Sequence, residues 1–309
     1  MSVVVVGSIN TDITSYSEVL PRIGETVMGN SYAMELGGKG ANQAAAVARL
    51  GAKVEFVGRI GADAFGELAL GRLAEFGVST RYSAKDPESA TGIAVIGVDA
   101  QGQNAITIVP GANLRLGEKE LLEALASFER TKVLMLQLEI PVATCVAAAR
   151  AARERGVIVV LDPAPAPLAP LPDELYSLID VITPNETEAE VLLGLRPRTL
   201  EDARRAAHEL VARGVRAAIV TVGERGAYVA SSLAGDTEGP VAPFVVRAVS
   251  TVAAGDCFNA GLAVALSEGK NLMEAARFAS ACGALCVTKP GSAASAPNRE
   301  DVEELLAGT

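Results

Sequence analysis

Short apolar runs rich in β-branched residues alternate along this chain with alanine-rich segments of helical period. The apolar runs lie at 3–7, 53–61, 132–139, 157–163, 180–185 and 217–223. The helical segments lie at 40–51, 65–77, 141–156 and 200–214. Strands that are apolar on both faces and alternate with helices are typical of a mostly parallel sheet covered by helices on both sides. The alternation therefore predicts an α/β fold.

Two segments interrupt this alternation and predict a second, smaller sheet. Residues 12–36 carry short alternating runs, and residues 91–110 contain two strand-like runs around the glycine-bearing turn DAQGQ, as in an antiparallel hairpin. Neither segment has a helix beside it to cover its apolar side. We therefore expect a lid that covers a cleft or pairs with a second copy, within a single domain spanning 1–309.

Composition excludes several classes of partner. A formal net charge of −10 argues against nucleic-acid binding, although a local site on an acidic protein can still attract an anion. No apolar run approaches the roughly 18 residues of a spanning helix, and no secretory signal is visible, so we expect a cytoplasmic protein that does not bind membranes. Four cysteines and the lone His208 lack metal-ligand spacing, which favours reduced, mostly buried thiols.

The stretch TVAAGDCFNAG (251–261) places one acid, Asp256, among small residues where a helix begins after the strand-like run 244–250. The small residues before the acid are Ala253, Ala254 and Gly255. A helix start offers free N–H groups, and small side chains let an anion approach them. Asp256 is either the N-cap of this helix or a general base for phosphoryl transfer. Cys257 is either a reactive thiol or a packing residue.

Two polar stretches nearer the N-terminus also fit a ligand site. In ELGGKGANQAAA (35–46), Lys39 and Asn42 lie in the first turn of a helix after two glycines, which make either a simple turn or a ligand contact. In GSINTD (7–12), Asn10 and Asp12 face the same way in extended chain, so they either grip two sugar hydroxyls or form an Asx turn. Glu139 ends another strand and fits the same site.

Further stretches follow predicted strands. In TPNETEAE (183–190), Asn185 and Glu188 have the spacing of a capping box, and the same pair can hold water or Mg2+ beside phosphates. In TVGERGAYVA (221–230), a Gly-x-x-Gly turn makes either a tight hairpin or a backbone clamp for nucleotide phosphates. Neither GxxxxGK[ST] nor an early GxGxxG is present. Because carboxyl ends of parallel strands share one edge, we expect a single composite site there.

These motifs resemble those of the ribokinase-like carbohydrate kinase family, of the phosphofructokinase B type, over essentially the whole chain. The motifs are GSINTD, GGKGANQA, GAN, MQLE, LDPAPA, TPNETEAE, TVGERG and AAGDCFNAG, in this order. The first of them together with GAN resembles the ribokinases within the family. The resemblance implies a three-layer αβα, Rossmann-like sandwich with a β lid that pairs subunits into a homodimer. It also implies transfer of the γ-phosphoryl group of ATP, with Mg2+, to the 5-hydroxyl of ribose.

The resemblance also assigns roles by position. The sugar-binding residues it implies are Asn10, Asp12, Gly38, Lys39, Asn42 and Glu139, together with Asp256 as the base. The anion hole it implies consists of Ala253, Ala254 and Gly255. Asn185 and Glu188 would organise Mg2+ and phosphates. The ATP contacts it implies are Asn185, Thr221, Gly223, Gly226, Gly255 and Ser280.

One departure concerns a monovalent cation. The family usually has Asp where this chain has Ser250, and that acid helps to hold K+ beside the anion hole. The other contacts implied, largely backbone carbonyls, are Val252, Cys286, Lys289, Gly291 and Ser295. A neutral serine should lower the affinity for the cation, so we expect weak or absent K+ activation.

Two other functions stay open. One is a related kinase, such as a deoxyribokinase or a nucleoside kinase. The other is a sugar-binding regulator without catalysis, against which the intact Gly255, Asp256, Asn185 and Glu188 argue. A dinucleotide-dependent oxidoreductase lacks its glycine fingerprint.

Overall fold

The structure, a computed structural model, describes residues 2–128, 130–233, 235 and 237–308, with all their side chains except those of 125–127. Its first strand, β1 (Ser2–Val6), shows how the main sheet is built. Val3 and Val5 pack into the apolar core on one face of the sheet, and Val4 and Val6 pack into the core on the other. All four side chains are fully buried, as a run of valines requires when helices cover both faces.

The large sheet has the order β13-β12-β11-β10-β9-β8-β1-β4-β5. Its other strands are β4 (Lys53–Gly61), β5 (Ser79–Asp86), β8 (Val133–Leu136), β9 (Ile158–Leu161), β10 (Val181–Ile182), β11 (Ala217–Thr221), β12 (Ala227–Ser231) and β13 (Gly239–Val241). The strands from β5 to β11 in this order pair in parallel, and β12 and β13 are antiparallel additions at one edge. The predicted α/β class is therefore confirmed.

Helices cover both faces of this sheet. They are α1 (Lys39–Arg49), α2 (Ala64–Glu75), α3 (Glu118–Phe128), α4 (Val142–Arg153), α5 (Asp173–Leu178), α6 (Glu186–Leu193), α7 (Leu200–Ala212), α8 (Ala254–Ser267), α9 (Leu272–Cys286) and α10 (Arg299–Ala307). The core on one face includes residues of α1, α8 and α9, and the core on the other includes residues of α4 and α7. The result is the three-layer sandwich that the resemblance implied. In the ranges given above, no helix is long and apolar enough to cross a membrane.

The smaller sheet has the order β3-β2-β6-β7. Its strands are β2 (Asn10–Ser17), β3 (Gly29–Gly37), β6 (Gly92–Val98) and β7 (Asn104–Val109). The β6–β7 pair is the antiparallel hairpin that the sequence predicts, while β2 pairs with β6 in parallel. This sheet joins the sandwich at the edge where β1 ends, so Asn10 and Asp12 lie at the start of β2.

One predicted strand is wrong. The run FVVRAVS (244–250) forms no strand, because the last strand of the large sheet, β13, ends at Val241 and the chain then continues without regular structure. Val245 and Val249 are exposed, and the N–H groups of Val249 and Ser250 bond to the carbonyl oxygen of Val287. Apolar composition alone suggested a strand here, and the segment is instead a surface connection leading to α8.

Candidate active site

Polar side chains converge where the parallel strands of the large sheet end. Asn10 follows β1, Glu139 follows β8, Asp162 follows β9 and Asn185 follows β10. The N-termini of α1 and α8 face the same edge, because Asn42 of α1 bonds to Asp256 of α8. Contacts thus join Lys39, Asn42, Asp162 and Asp256 in one polar cluster at this edge, and the wider composite site stays a prediction.

Asp256 is buried in the first turn of α8, with 4% of its surface exposed. Its Oδ2 accepts a hydrogen bond of 3.0 Å from Asn42 Nδ2, and its Oδ1 accepts one of 3.2 Å from Gln43 Nε2. Burial raises the pKa of Asp256, and Lys39 and these two amides oppose the rise. The N-cap interpretation is wrong, because the helix begins at Ala254 and the N-cap, Ala253, has no side-chain bond to the helix.

The backbone before Asp256 has an unusual shape. Ala253 has a φ of 59°, in the left-handed region that a residue with a Cβ rarely adopts. Such conformations cost on the order of 1–3 kcal/mol and cluster at functional sites. Gly255 is exposed, and a Cβ placed on it would meet no atom within 4 Å. Open space therefore lies against the first N–H groups of α8, which lack partners within the helix.

Asn10 and Asp12 line the site from the small sheet. Asn113 holds Asn10 in place, since its Nδ2 donates to Asn10 Oδ1 at 2.7 Å while its Oδ1 accepts from the Ile9 N–H at 2.9 Å. Gly37 of β3 pairs with Asn10 of β2, and a Cβ on Gly37 would lie 2.0 Å from Asp12 Oδ1. Only glycine therefore leaves room for this carboxylate.

The carboxyl of Asp12 is poorly supplied with donors. Its Oδ1 is buried and has no hydrogen-bond partner among the described residues. Burial, followed by the charges of Glu139, Glu35 and Asp256, raises the pKa of Asp12 to about 7. Asn42 Oδ1 is likewise buried without a partner within the described ranges. Both atoms are available to accept hydrogen bonds from a ligand.

Lys39 lies in the middle of the cluster. Its backbone N–H donates to Glu139 Oε2 at 3.0 Å, and its Nζ lies 3.8 Å from Asp162 Oδ2 and 3.9 Å from Asp256 Oδ1. Burial disfavours its charged form, but Asp162, Asp256 and Glu139 outweigh burial and raise the pKa of Lys39. The preceding residue, Gly38, has a φ of 85°, and a Cβ there would lie 2.9 Å from the Asn10 nitrogen.

Asn185 and Glu188 form the capping box that their spacing predicts. Asn185 caps α6. The Glu188 carboxylate accepts two hydrogen bonds from Asn185, one from its backbone N–H at 2.8 Å and one from its Nδ2 at 2.9 Å. Glu188 is buried, and burial raises its pKa. The pair can form a capping box and also hold water or Mg2+, because a carboxylate oxygen that already accepts one hydrogen bond can accept another from a water molecule.

Besides Asn185 and Gly255, the residues assigned to ATP lie on β11, on the turn that follows it and on α9. Thr221 ends β11, and Gly223 and Gly226 belong to the tight turn that leads to β12, with φ values of 54° and 94°. The hairpin interpretation of this turn is correct. Ser280 lies half-buried on α9, the helix that packs along α8. Gly226 lies so close to Val241 that a Cβ would approach its carbonyl oxygen to 2.2 Å.

The donor set has different consequences for the two metals. Among the described residues, no group of three or more His, Cys, Asp or Glu side chains could hold a metal ion. Mg2+ normally binds through one or two carboxylates, water molecules and substrate phosphates, so Glu188 with Asn185 fits Mg2+ that arrives with a nucleotide.

The cation residues lie together but do not fit K+ well. The Cys286 Sγ donates to the Val252 carbonyl oxygen at 3.6 Å and lies 3.2 Å from Ser295 Oγ. Ser250 Oγ accepts from the Val252 N–H at 3.3 Å. Gly291 has a φ of 97° in the adjoining turn. Lys289 directs its Nζ to Asp301, at 3.6 Å. Internal partners thus occupy several of the oxygens expected to hold the cation, and Ser250 supplies no charge.

The remaining expectations about single residues can also be compared with the structure. All four cysteines are buried and free, and donation of a hydrogen bond to Cys286, followed by burial, raises the pKa of Cys257, so the packing interpretation of Cys257 is correct. His208 lies half-buried on α7, outside this cluster, with its Nε2 3.8 Å from Glu238.

Sequence reasoning missed three side chains of the cluster. Gln43 bonds to both Asp256 and Asp162, Asp162 contacts Lys39, and Asn113 holds Asn10. Gln43 lies in the stretch 35–46, where only Lys39 and Asn42 were singled out, and Asp162 and Asn113 lie in the family motifs LDPAPA and GAN. An available signal for Asp162 was its place directly after the apolar run 157–161, because the carboxyl end of a buried strand is the expected edge of a site.

A buried carboxylate in the first turn of a helix, beside other polar side chains, fits an enzyme that transfers phosphoryl groups to alcohols. Comparison with known proteins agrees: the chain matches the pfkB family of carbohydrate kinases over residues 1–299 and belongs to that family. It is 41% identical to a ribokinase of Haemophilus influenzae, covering 98% of this chain and 97% of that protein. The resemblance drawn from the motifs is confirmed.

A solved structure and one further relative add detail. The structure of Arabidopsis thaliana ribokinase complexed with ribose and ATP aligns with a TM-score of 0.89 and 37% identity, over 98% of each chain. A deoxyribokinase of Salmonella typhi is 35% identical over 99% of this chain and 99% of that protein. The three-layer fold with a small sheet is therefore shared with a ribokinase.

Proposed function

We propose that this carbohydrate kinase is a ribokinase, which transfers the γ-phosphoryl group of ATP to the 5-hydroxyl of D-ribose. One observation carries the proposal: the carboxylate of Asp256 is held by Asn42 and Gln43 beside the first turn of α8, with open space at Gly255. A base and an anion-binding backbone are thus adjacent, as phosphoryl transfer to a hydroxyl requires. The ribokinases among the relatives support ribose as the acceptor.

In this mechanism, Asp256 accepts the proton of the 5-hydroxyl as its oxygen attacks the γ-phosphorus of ATP, the bond from that phosphorus to the bridging oxygen breaks, and ADP leaves. The raised pKa of Asp256 makes it a stronger base than a solvated aspartate. The N–H groups at the start of α8, shaped by Ala253, Ala254 and Gly255, stabilise the charge on the transferring group. The ammonium of Lys39, 3.9 Å from Asp256, adds a positive charge at the same point.

The sugar is held by the cradle opposite. Asp12 and Asn42 each have a buried oxygen without a partner among the described residues, and these oxygens accept hydrogen bonds from sugar hydroxyls. Asn10, Gly38 and Glu139 complete the cradle. Two adjacent hydroxyls donating to one carboxylate fix the sugar so that its primary hydroxyl reaches Asp256.

Asn185 and Glu188 would hold Mg2+ through water, and the metal supplies charge neutralisation on the phosphates. Thr221, Gly223, Gly226 and Ser280 would lie against ATP. Because Ser250 is neutral and the Cys286 thiol bonds to the Val252 carbonyl, we propose little activation by K+.

We also propose that the small sheet is a lid through which two copies form a homodimer. Ile106 and Ile108 of β7 are 53% and 52% exposed, and Tyr32 of β3 is 74% exposed. Exposed apolar side chains on a small open sheet need cover, and a second copy of the same sheet supplies it.

The experiment is ADP release with ATP, Mg2+ and a panel of D-ribose, 2-deoxyribose, fructose and nucleosides. We expect fast turnover with ribose alone. Faster turnover with 2-deoxyribose would move the assignment to a deoxyribokinase. Asp256→Asn, which keeps the shape of the side chain, should abolish turnover and retain ribose and ATP binding by calorimetry. Substantial activity in this variant would refute the general-base role, and binding without turnover in the wild type would indicate a regulator.

A further inference from the structure

Asp162 has no part in the mechanism described so far, yet it is one of the most deeply placed charges of the site. It follows β9, its N–H bonds to the Leu136 carbonyl at 2.9 Å, and 4% of its surface is exposed. A buried carboxylate is costly unless it is paired and hydrogen-bonded. Its Oδ2 accepts a bond of 2.8 Å from Gln43 Nε2 and lies 3.8 Å from Lys39 Nζ.

The same two donors also serve Asp256. Gln43 Nε2 lies 3.2 Å from Asp256 Oδ1, and Lys39 Nζ lies 3.9 Å from the same oxygen. Two buried carboxylates therefore share one amide and one ammonium. The side-chain amide of Gln43 is held with its Nε2 toward the two aspartates, because Gln137 Nε2 donates to Gln43 Oε1 at 2.6 Å. Flipping Gln43 would place its oxygen against both carboxylates.

We propose that Asp162 is a positioning residue for the phosphoryl transfer: it draws Lys39 and Gln43 partly away from Asp256 and so keeps the base strong. The proposal rests on the proposed function. Without the charge of Asp162, Lys39 would pair with Asp256 alone, and a carboxylate in a direct ion pair is a weaker base. With Asp162 present, the ammonium stays almost equidistant from the two acids, at 3.8 and 3.9 Å.

The surrounding charges agree with this sharing. Burial raises the pKa of Asp162 to about 7, Lys39 of α1 lowers it, and Asp256 of α8, Glu188 of α6 and Glu139 raise it. The charge of Asp256 thus acts on Asp162 across the donors that the two acids share.

The test is the pH dependence of kcat at saturating ribose and ATP, which reports the essential groups of the enzyme–substrate complex and so leaves out the effect of Asp12 on sugar binding. Asp162→Asn keeps the shape and an acceptor for Gln43 but removes the charge. We expect its acid limb to move to lower pH, by about one unit for the loss of one close like charge. The rate on the plateau should fall several-fold, because a base of lower pKa accepts the proton less readily.

A matched variant should shift the acid limb in the opposite direction. Gln43→Met has the same length and removes a donor from both acids, so its acid limb should move to higher pH. Circular dichroism and thermal unfolding check that each variant folds, and if Asp162→Asn does not fold, Asp162→Ala, which also removes the charge, takes its place. An unmoved limb in the variant measured, or limbs moving in the same direction, would overturn the proposal. Wild type without turnover on any sugar would instead refute the proposed function.

Discussion

The charge state of Asp12 should control the affinity for the sugar across the neutral pH range. Its pKa is raised to about 7 in the free protein by burial and by Glu139, Glu35 and Asp256, and its Oδ1 has no donor among the described residues. A sugar hydroxyl that donates to the ionised carboxylate stabilises that form. Binding therefore lowers the pKa of Asp12, and protonation of Asp12 competes with the sugar.

The size of the effect follows from this competition. When only the ionised form binds well, Kd is proportional to 1 + 10^(pKa − pH), with the pKa of about 7. Kd should then be about fivefold higher at pH 6 than at pH 7, and about fiftyfold higher at pH 5. Above pH 8 it should be nearly constant.

Isothermal titration calorimetry with ribose and no nucleotide measures this curve. Asp12→Asn removes the titrating group, so the difference between the two curves isolates Asp12 from Asp162 and Asp256. Glu35→Gln on the neighbouring strand removes one of the charges that raise the pKa of Asp12, and it should move the curve to lower pH. A Kd with the same pH dependence in wild type and Asp12→Asn would refute the reasoning.

Three further predictions concern the anion site, the cation and the lid. A Cβ at Gly255 meets no atom within 4 Å, so Gly255→Leu should unfold at no lower temperature than wild type. Its kcat/KM for ATP should fall about tenfold or more, because the leucine side chain fills the anion site. Gly255→Ala is the control, and unchanged kinetics in the leucine variant would place the phosphates elsewhere. Replacing NaCl by KCl at constant ionic strength should hardly change the rate, whereas Ser250→Asp should gain saturable K+ activation; strong activation of the wild type would contradict the misfit at this site. Ile108→Asp should give a monomer by light scattering and a raised KM for ribose. Ile23→Asp, which changes an exposed residue outside the small sheet, is the control and should change neither. A dimer that persists in Ile108→Asp would disprove pairing through the small sheet.

The sequence predicted best those features that depend on spacing. The alternation of buried strands with helices gave the class of the fold, because the valines of β1 can be buried on both faces only between two layers of helices. Lys39, Asn42 and Asp256 were predicted near one another because each opens or follows an element at one edge of the sheet, and the structure brings them into contact.

The features that the sequence did not predict depend on long-range contacts. Gln43 is one residue from Asn42, and its role depends on Asp162, 119 positions away in the chain. Asn113 bonds to Asn10 across 103 positions. No local periodicity reports such contacts. The wrong strand at 244–250 has a different cause, since its composition favours a strand but the large sheet ends at β13, and the N–H groups of Val249 and Ser250 bond to the Val287 carbonyl.

Two buried aspartates show that the supply of hydrogen-bond donors decides whether an ionised carboxylate stabilises or destabilises the fold. Burial of Asp86 opposes its ionisation, but the Glu88 N–H, Arg59, Arg115 and the Ser89 N–H donate to it and lower its pKa to about 2. Asp86 therefore adds stability that is present above its unfolded pKa near 4 and is lost as the pH falls toward 2.

Asp12 has the opposite sign. Its folded pKa of about 7 lies above the ordinary 3.8, so the ionised carboxyl destabilises the fold at neutral pH, and this cost disappears as the pH falls through that interval. The difference between the two residues is the number of donors that the chain supplies. A fold that provides four donors for Asp86 leaves an oxygen of Asp12 without one among the described residues, beside a similarly unpartnered oxygen of Asn42. The hydroxyl groups of a sugar are donors of the kind that these two oxygens lack, which supports the proposed substrate.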